Sequence, residues 1–336
     1  MRRQAQVSAR IACGIFAAAV IGGCGGKSDP TKLADPIAAS PANLGAAALQ
    51  LSAPGEDAPP PDKTGGFDGQ RAFAHVAKLV VMGQRQSGTP GIVPAQDYIL
   101  SELKSYGCAV ETDDFHADTP AGSLAMKNIV AKIPGERPEI VLLATHYDTK
   151  RLANFVGADD GGSSTGVMLE LARVLCGKRG RDTVWIAFFD GEEAVNPDWK
   201  DPDNTYGSRQ MAAKLAMGGD LKRIKALLLA DMVGNRQLRF RRDTDSTKWL
   251  TDLVWSAAAR LGYSSVFANE EYSIGGDDHF SFMRRGVPAV DVIDFQIPYW
   301  HTPQDTLDKI SARSLAIVGH VFLESVHELG EKPAKP

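Results

Sequence analysis

Two adjacent glutamates, Glu192 and Glu193, follow an apolar run that ends at Phe189. Such a run predicts a buried strand, and neighbouring side chains at the end of a strand point to different sides. One carboxylate could then bind a metal ion while the other transfers a proton, which is the combination that zinc-dependent acyl chemistry requires. A glutamate pair alone usually marks a solvated helix face, so its meaning depends on the other residues of the chain.

Other acidic and histidine residues stand at separate points along the chain. Asp160 lies in a glycine-flanked loop that would let the backbone approach a metal, although this residue could instead cap the helix that follows. The flanking Trp300 and Thr302 argue against an ordinary loop role for His301. Asp160, Glu193 and His301 together supply the oxygen and nitrogen ligands that suit tetrahedral zinc with one open position. The further site phrases are His146-Tyr147-Asp148, Asp231 and Asp278-His279, in which His279 is not expected to be a ligand.

The candidate residues coincide with the ends of predicted strands. Apolar runs predict strands at 128–133, 140–145, 183–189, 226–230 and 287–293. Helical patterns are found at 95–106, 164–175, 206–216, 248–261 and 312–329. This alternation predicts an α/β fold, a doubly wound and mostly parallel mixed sheet flanked by helices, in one catalytic domain. His146, the glutamate pair and Asp231 would then lie at or just past the carboxyl ends of strands, where open α/β sheets place their sites.

The N-terminal residues predict export and a tether. A stretch at 11–23 follows several arginines and is apolar, too short to cross a bilayer but suited to a signal peptide. It ends in Ile21-Gly22-Gly23-Cys24, which resembles a bacterial lipoprotein cleavage box, with an ordinary secretory signal as the alternative. We therefore expect a lipoprotein signal peptide at 1–23, lipidation of Cys24, and anchoring in the bacterial cell envelope. Gly25, not an aspartate, follows this cysteine, which resembles the sorting signal of outer-membrane lipoproteins. We therefore expect the protein to lie in the outer membrane and to face the periplasm.

Residues 24–66 are rich in proline, alanine and glycine, which predicts a linker between the membrane and a catalytic domain at 67–332. With 336 residues, 43% of them hydrophobic, the chain can bury a full core. Its formal net charge is −4 at pH 7, so no basic field would attract nucleic acid. Cys108 and Cys176 would be the cysteines left after cleavage and lipidation. The sequence does not show whether they meet, and we expect two structural thiols rather than a disulfide.

The ordered site residues resemble the M28 superfamily of co-catalytic zinc aminopeptidases. Several phrases are more similar to the zinc-dependent glutaminyl-peptide cyclotransferases, or glutaminyl cyclases, within that superfamily. These phrases lie at 188–194, 206–209, 277–279, 284–288 and 300–302. The resemblance covers roughly residues 67–330, and its motifs are specific only in combination.

The resemblance implies that Asp160, Glu193 and His301 bind a single zinc ion and that Glu192 shuttles a proton. The substrate would be the N-terminal glutamine of a peptide or protein, converted to pyroglutamate with release of ammonia. A second zinc ion would coordinate the free amine and quench it as a nucleophile, which is why one ion suits the reaction.

The resemblance also assigns the surroundings of the metal. Asp231 and Asp278 would form an acid network beside Glu192, and His146 would lie at the edge of that network instead of holding a second metal. Trp300 and Trp199 would wall the substrate pocket, although Trp199 could instead anchor its loop.

Two features depart from the animal cyclases. Residues 302–306 look more like the peptidases, and Thr145 and Thr165 occupy the positions of a disulfide near the site. One alternative is therefore an aminopeptidase with two zinc ions, the second held by His146 and Asp231, that releases N-terminal residues. Another is a non-catalytic surface lipoprotein on the same fold.

Overall fold

A six-stranded sheet forms the centre of the computed structural model, which describes residues 58–332. In spatial order its strands are β1 (Ala109–Thr119), β2 (Gly122–Ile133), β4 (Asp182–Phe189), β3 (Arg137–His146), β5 (Ile224–Asp231) and β8 (Ala289–Ile293). The last four run parallel, and β1 and β2 add an antiparallel edge. In a separate sheet, β6 (Phe240–Asp243) pairs in parallel with β7 (Phe267–Tyr272). The central sheet is the mostly parallel mixed sheet that the sequence predicts.

Helices cover both faces of this sheet. One face packs against α1 (Gly69–Met82), α2 (Val93–Ser105), α3 (Gly162–Leu175), α5 (Lys248–Arg260) and α7 (Ala312–Glu331). The opposite face packs against α4 (Tyr206–Gly218) and α6 (Asp278–Met283). On β3, Val141 and Leu143 belong to the first core, and Leu142 and Ala144 belong to the second. Because both faces are covered, the strand is a continuous apolar run in the sequence.

The sequence does not predict the antiparallel edge. β1 carries Glu111, Asp113, Asp114 and Asp118, and most of its side chains are exposed, so it lacks the apolar signal of a strand. Acidic side chains on an edge strand discourage pairing with other chains. β2 begins at Gly122, before the predicted start at 128. The short elements β6, β7 and α6 are also not predicted.

Residues slightly before Phe67 already pack against the catalytic domain. Thr64 is fully buried, and its hydroxyl donates to the carbonyl of Phe67, so part of the predicted linker lies on the body. The predicted signal peptide, Cys24 and most of the linker lie outside the described residues. No helix within 58–332 combines the length and the apolar character needed to cross a membrane.

Cys108 and Cys176 form a disulfide, with Cα atoms 5.2 Å apart, so the expectation of two free thiols is wrong. Cys108 immediately precedes β1, and Cys176 is the C-cap residue of α3. The two residues are 68 positions apart. Their proximity results from the packing of α2, α3 and the sheet, which neither cysteine's local sequence reveals.

We expect the disulfide to stabilise the fold, because it closes a long loop of the unfolded chain. Replacing both cysteines by serine should lower the free energy of unfolding by about 2–4 kcal/mol. Urea denaturation of the oxidised wild type, the reduced wild type and Cys108→Ser/Cys176→Ser would measure this difference. If the three had the same free energy of unfolding, the disulfide would contribute nothing to stability.

Candidate active site

The carboxyl ends of three neighbouring strands bring the predicted site residues together. His146 is the last residue of β3, and Asp231 is the last residue of β5. Glu192 and Glu193 follow shortly after β4, which lies on the other side of β3. Because these strands are parallel, their ends meet at one edge of the sheet, where the sequence predicts the site.

Two loops complete this edge. Asp160 lies just before α3, and Gly161 occupies the N-cap position of that helix with φ 72° and no side-chain cap. The alternative that Asp160 caps the helix is therefore wrong. A Cβ atom on Gly161 would lie 2.7 Å from the carbonyl oxygen of Asp148 and 2.9 Å from the His146 ring. Only glycine allows this close approach of the loop to β3. The second loop, between β8 and α7, carries His301.

Asp160, Glu193 and His301 converge in the geometry of a metal site. The Nε2 atom of His301 lies 3.3 Å from Asp160 Oδ2 and 3.2 Å from Glu193 Oε1. Asp160 Oδ2 and Glu193 Oε2 are buried and accept no well-formed hydrogen bond among the described residues; their nearest charged neighbours are His301 Nε2 at 3.3 Å and the Lys150 ammonium at 3.6 Å, respectively. Buried carboxylate oxygens are normally satisfied. Two unsatisfied oxygens beside one imidazole fit a zinc ion, whose preferred ligands are of these kinds.

The ionisation of these groups reflects their crowding. Burial raises the pKa of Glu193 to about 7, with a further contribution from the Asp160 carboxylate. Burial would lower the pKa of His301, but its contacts with Asp160 and Glu193 outweigh this effect and raise the pKa to about 10. Without a metal, the imidazolium therefore neutralises the carboxylates. A bound cation would take over that role and displace the proton.

His146 also contacts Asp160. Its Nε2 atom lies 3.3 Å from Asp160 Oδ1 and 3.1 Å from Asp231 Oδ1, so these three residues form a second group able to hold a cation. Burial would lower the pKa of His146, but the carboxylates of Glu192 and Asp231 outweigh it and raise the pKa well above the usual value. The same contacts suit a hydrogen-bonded network or a second metal.

Asp148 fixes the backbone of both glutamates. Its Oδ1 accepts a hydrogen bond from the N–H of Glu192 at 3.1 Å, and its Oδ2 accepts one from that of Glu193 at 3.3 Å. Burial raises the pKa of Glu192 well above the usual value, although the nearby His146 opposes the shift. The carboxylates of Asp277 and Glu193 raise this pKa further. Glu192 is thus a buried carboxyl group with a raised pKa, placed beside the group of residues that could hold a metal.

Asp277 and Asp278 are adjacent in the sequence but have different environments in the structure. Asp277 lines the cavity that Glu192 also lines, and its carboxylate accepts a hydrogen bond from the N–H of Asp278 at the start of α6. Asp278, which the sequence analysis assigns to the acid network, is fully buried and does not line the cavity. Burial and the neighbouring Asp277 raise the pKa of Asp278 well above the usual range. The sequence gives no periodicity here that would indicate which acid faces the site.

A cavity of about 190 Å³ lies over the ligand residues. Both predicted tryptophans, Trp199 and Trp300, line it. The ring of Trp300 stacks on that of His301, with centroids 4.0 Å apart, and packs at 4.8 Å against Phe295. The cavity also has apolar walls that the sequence analysis misses, because single apolar residues carry no signature. They are Met232, Ile274, Ile293 and Phe295.

Strained backbone occurs at several positions in and near this cavity. Met232 and His301 adopt positive φ angles of 45° and 51°, and Thr205, whose N–H donates to the carbonyl of Glu192, has φ 46°. Non-glycine residues seldom adopt this conformation, and where they do the surrounding structure must hold them. Placing the site residues therefore requires these strained backbone conformations.

Hydrogen bonds hold the loops around the site in place. The hydroxyl groups of Thr145 and Thr165 both donate to the carbonyl oxygen of His146, at 2.9 and 3.0 Å. Asp305 accepts hydrogen bonds from the N–H groups of Asp159 and Asp160, at 2.8 and 3.1 Å. Asp305 thereby links the His301 loop to the Asp160 loop. In the sequence, the only signal for Asp305 is its position four residues after the candidate ligand His301.

Comparisons with known proteins show the family to which the chain belongs. The family model described as peptidase family M28 matches residues 128–326. The glutaminyl-peptide cyclotransferase of Drosophila melanogaster is 30% identical over 271 residues, which cover 71% of this chain and 76% of that protein. The solved structure of an Acidobacteriales bacterium glutaminyl cyclase aligns with a TM-score of 0.75 and 40% identity, covering 83% of this chain and 98% of that one. A Zn-dependent exopeptidase from Parabacteroides distasonis aligns with a TM-score of 0.73 and 28% identity, covering 78% and 98%. The chain belongs to peptidase family M28 and, within it, to the glutaminyl-peptide cyclotransferases.

Proposed function

We propose that this chain converts the N-terminal glutamine of peptides to pyroglutamate and releases ammonia. The observation that carries the proposal is one small cavity with aromatic walls that contains both a metal-binding group and a separate carboxyl group. Asp160, Glu193 and His301 form the metal-binding group, and Glu192 is the carboxyl group beside it. The cyclotransferases among its relatives point to the same reaction.

In this reaction the α-amine of glutamine attacks the carbon of its own side-chain amide. A new carbon–nitrogen bond closes the five-membered ring, and the bond to the amide nitrogen breaks. Glu192 would accept a proton from the amine and deliver one to the leaving nitrogen, which departs as ammonia. When bound, a zinc ion would polarise the amide carbonyl. Ring closure is intramolecular, so holding the side chain in a reactive orientation supplies much of the rate.

The aromatic walls suit this orientation. A glutamine side chain offers two methylene groups, which an indole face can cover while the amide reaches the metal-binding group. Trp300 is in place for this role, because its ring lines the cavity and stacks on His301. Trp199 also lines the cavity, and this residue is 38% exposed.

We propose that a single zinc ion is held by Asp160, Glu193 and His301, and that His146 belongs to the acid network. The network would comprise Asp231 and Asp277 beside Glu192, with Asp278 buried behind them. Asp277 enters this proposal because it lines the cavity. An amine that must attack a carbonyl needs its lone pair free, and a second zinc ion would bind that lone pair.

The direct test is the release of ammonia and pyroglutamate from a glutaminyl dipeptide, compared with the hydrolysis of a leucyl dipeptide. We expect cyclisation, and we expect Glu192→Gln to reduce its turnover by roughly 10²–10⁴-fold, because the amide cannot carry the proton. Bound zinc and the unfolding temperature of Glu192→Gln serve as controls. Hydrolysis of the leucyl dipeptide without cyclisation would refute the proposed function, and near-normal cyclisation by the variant would remove Glu192 from the mechanism.

Zinc retention should distinguish the two groups that can hold a cation. Alanine variants of Asp160, Glu193 and His301 should lose most of the bound zinc, because each removes a ligand. His146→Ala should retain it. Metal analysis of the purified proteins measures the difference, with His116→Ala, a change to an exposed histidine of β1, as the matched control. Two zinc ions per wild-type chain, with one lost from His146→Ala, would favour the two-zinc aminopeptidase.

Asp277 and Asp278 should differ when each is changed to asparagine. We expect Asp277→Asn to lower kcat by roughly 10–100-fold, because the changed group faces the cavity beside Glu192. Asp278→Asn should cost much less, since burial already favours the neutral form of this carboxyl group. Steady-state kinetics with a glutaminyl dipeptide would decide. A larger loss for Asp278→Asn would return the network role to Asp278.

A further inference from the structure

A second cavity adjoins the first. It has a volume of about 270 Å³ and shares Trp199, Gly276 and Asp277 with the cavity over the metal-binding group. Trp199 is thus a wall of both cavities. The proposed reaction places only the glutamine residue in the first cavity. The second cavity is therefore available to another part of the substrate.

The position of Asp277 indicates where a peptide substrate would continue. The α-amine of the substrate must approach Glu192, and Asp277 lines the first cavity together with Glu192 and also lines the second cavity. The α-carbon that carries the amine also carries the bond to the next residue. The chain would therefore leave the first cavity beside Asp277, which is where the second cavity begins.

Glycines leave this passage open. Gly275 and Gly276 line the second cavity, with φ angles of 83° and 121°. A Cβ atom on Gly275 would meet no described atom within 4 Å, and one on Gly276 would lie 3.0 Å from the ring of Phe280. Because these residues have no side chains, a peptide main chain can approach their backbone closely.

The charges of the second cavity are opposite at its two ends. Asp277 lies at the inner end, near the place of the substrate amine. Lys200, Asp201 and Arg284 line the cavity as well, and all three are exposed. Asp201 and Arg284 form an ion pair at 3.3 Å. Within 58–332, no carboxylate pairs with the Lys200 ammonium, which leaves an excess positive charge at the solvent end.

We propose that the second cavity binds the residues that follow the N-terminal glutamine and that it favours acidic side chains there. This proposal rests on the proposed cyclisation. The amine of such a substrate would meet Glu192 and Asp277, and its downstream carboxylate would meet Lys200 and Arg284. Exposed charge pairs contribute little in water, so the preference should be a matter of a few-fold in kcat/KM.

The test compares three substrates with the wild-type protein: glutamine amide, glutaminyl-glutamyl-alanine amide and glutaminyl-lysyl-alanine amide. We expect kcat/KM for the glutamyl peptide to exceed that for the lysyl peptide by about two- to fivefold at low salt. The difference should shrink at about 0.5 M salt, which screens exposed charges. Lys200→Glu should abolish or invert the ratio. Lys222→Glu makes the same charge change just before β5, at the opposite end of the strands, and should preserve it.

The outcomes separate the two proposals. Failure to release ammonia from any of the three substrates would refute the cyclisation itself. Cyclisation with equal kcat/KM for the two peptides, insensitive to salt and to Lys200→Glu, would refute the subsite alone. A peptide with phenylalanine in the second position provides a further check. If it surpassed both charged peptides by more than they differ, the chain would leave along the wall of Tyr272, Phe295 and Trp300 instead.

Discussion

The constraint on which the site depends is the burial of many carboxyl groups at one edge of the sheet. Asp160, Glu192, Glu193 and Asp231 are each at most 6% exposed, and Asp148 and Asp305, which accept backbone N–H groups next to them, are buried as well. Carboxylates in such surroundings are stable only if they are protonated, hydrogen-bonded or paired with a cation. The site uses all three solutions. Asp148 and Asp305 accept backbone N–H groups, Glu192 has a raised pKa, and the ligand group offers its unsatisfied oxygens to a metal.

The same constraint explains the loops around the site. Parallel strands deliver His146 and Asp231 to one edge, but Asp160, Glu193 and His301 lie on irregular backbone. Gly161 allows the Asp160 loop to pass close to β3, and His301 and Met232 accept left-handed conformations. Conformations of this kind cost of order 1–3 kcal/mol each. The hydrogen bonds of Asp305 and of the threonine pair on β3 and α3 supply the rigidity that keeps them in place.

The sequence predicts the parts of this arrangement that depend on local pattern. Continuous apolar runs locate β3, β4 and β5, and the polar residues that follow these runs locate the site, because parallel strands end together. Contacts between residues that meet only through tertiary packing have no such local pattern in the sequence. Cys108 and Cys176 meet only because α2 and α3 pack on the same face of the sheet. The strand β1 is not predicted, because its acidic residues replace the apolar pattern of a strand. The choice between Asp277 and Asp278 depends on the start of a helix of only six residues, too short to show a period.

The position of His146 bears on the choice between cyclisation and hydrolysis. Both groups able to hold a cation share Asp160, but they differ in their access to substrate. His301 has a side chain 17% exposed and lines the cavity, whereas His146 is 2% exposed and does not line it. A metal in the His301 group would therefore face the glutamine amide directly. Four carboxylates lie within 3.6 Å of the ring nitrogens of His146, and this buried cluster suits a hydrogen-bonded acid network. A His146 group without a metal would leave the substrate amine free, and a free amine is what ring closure requires.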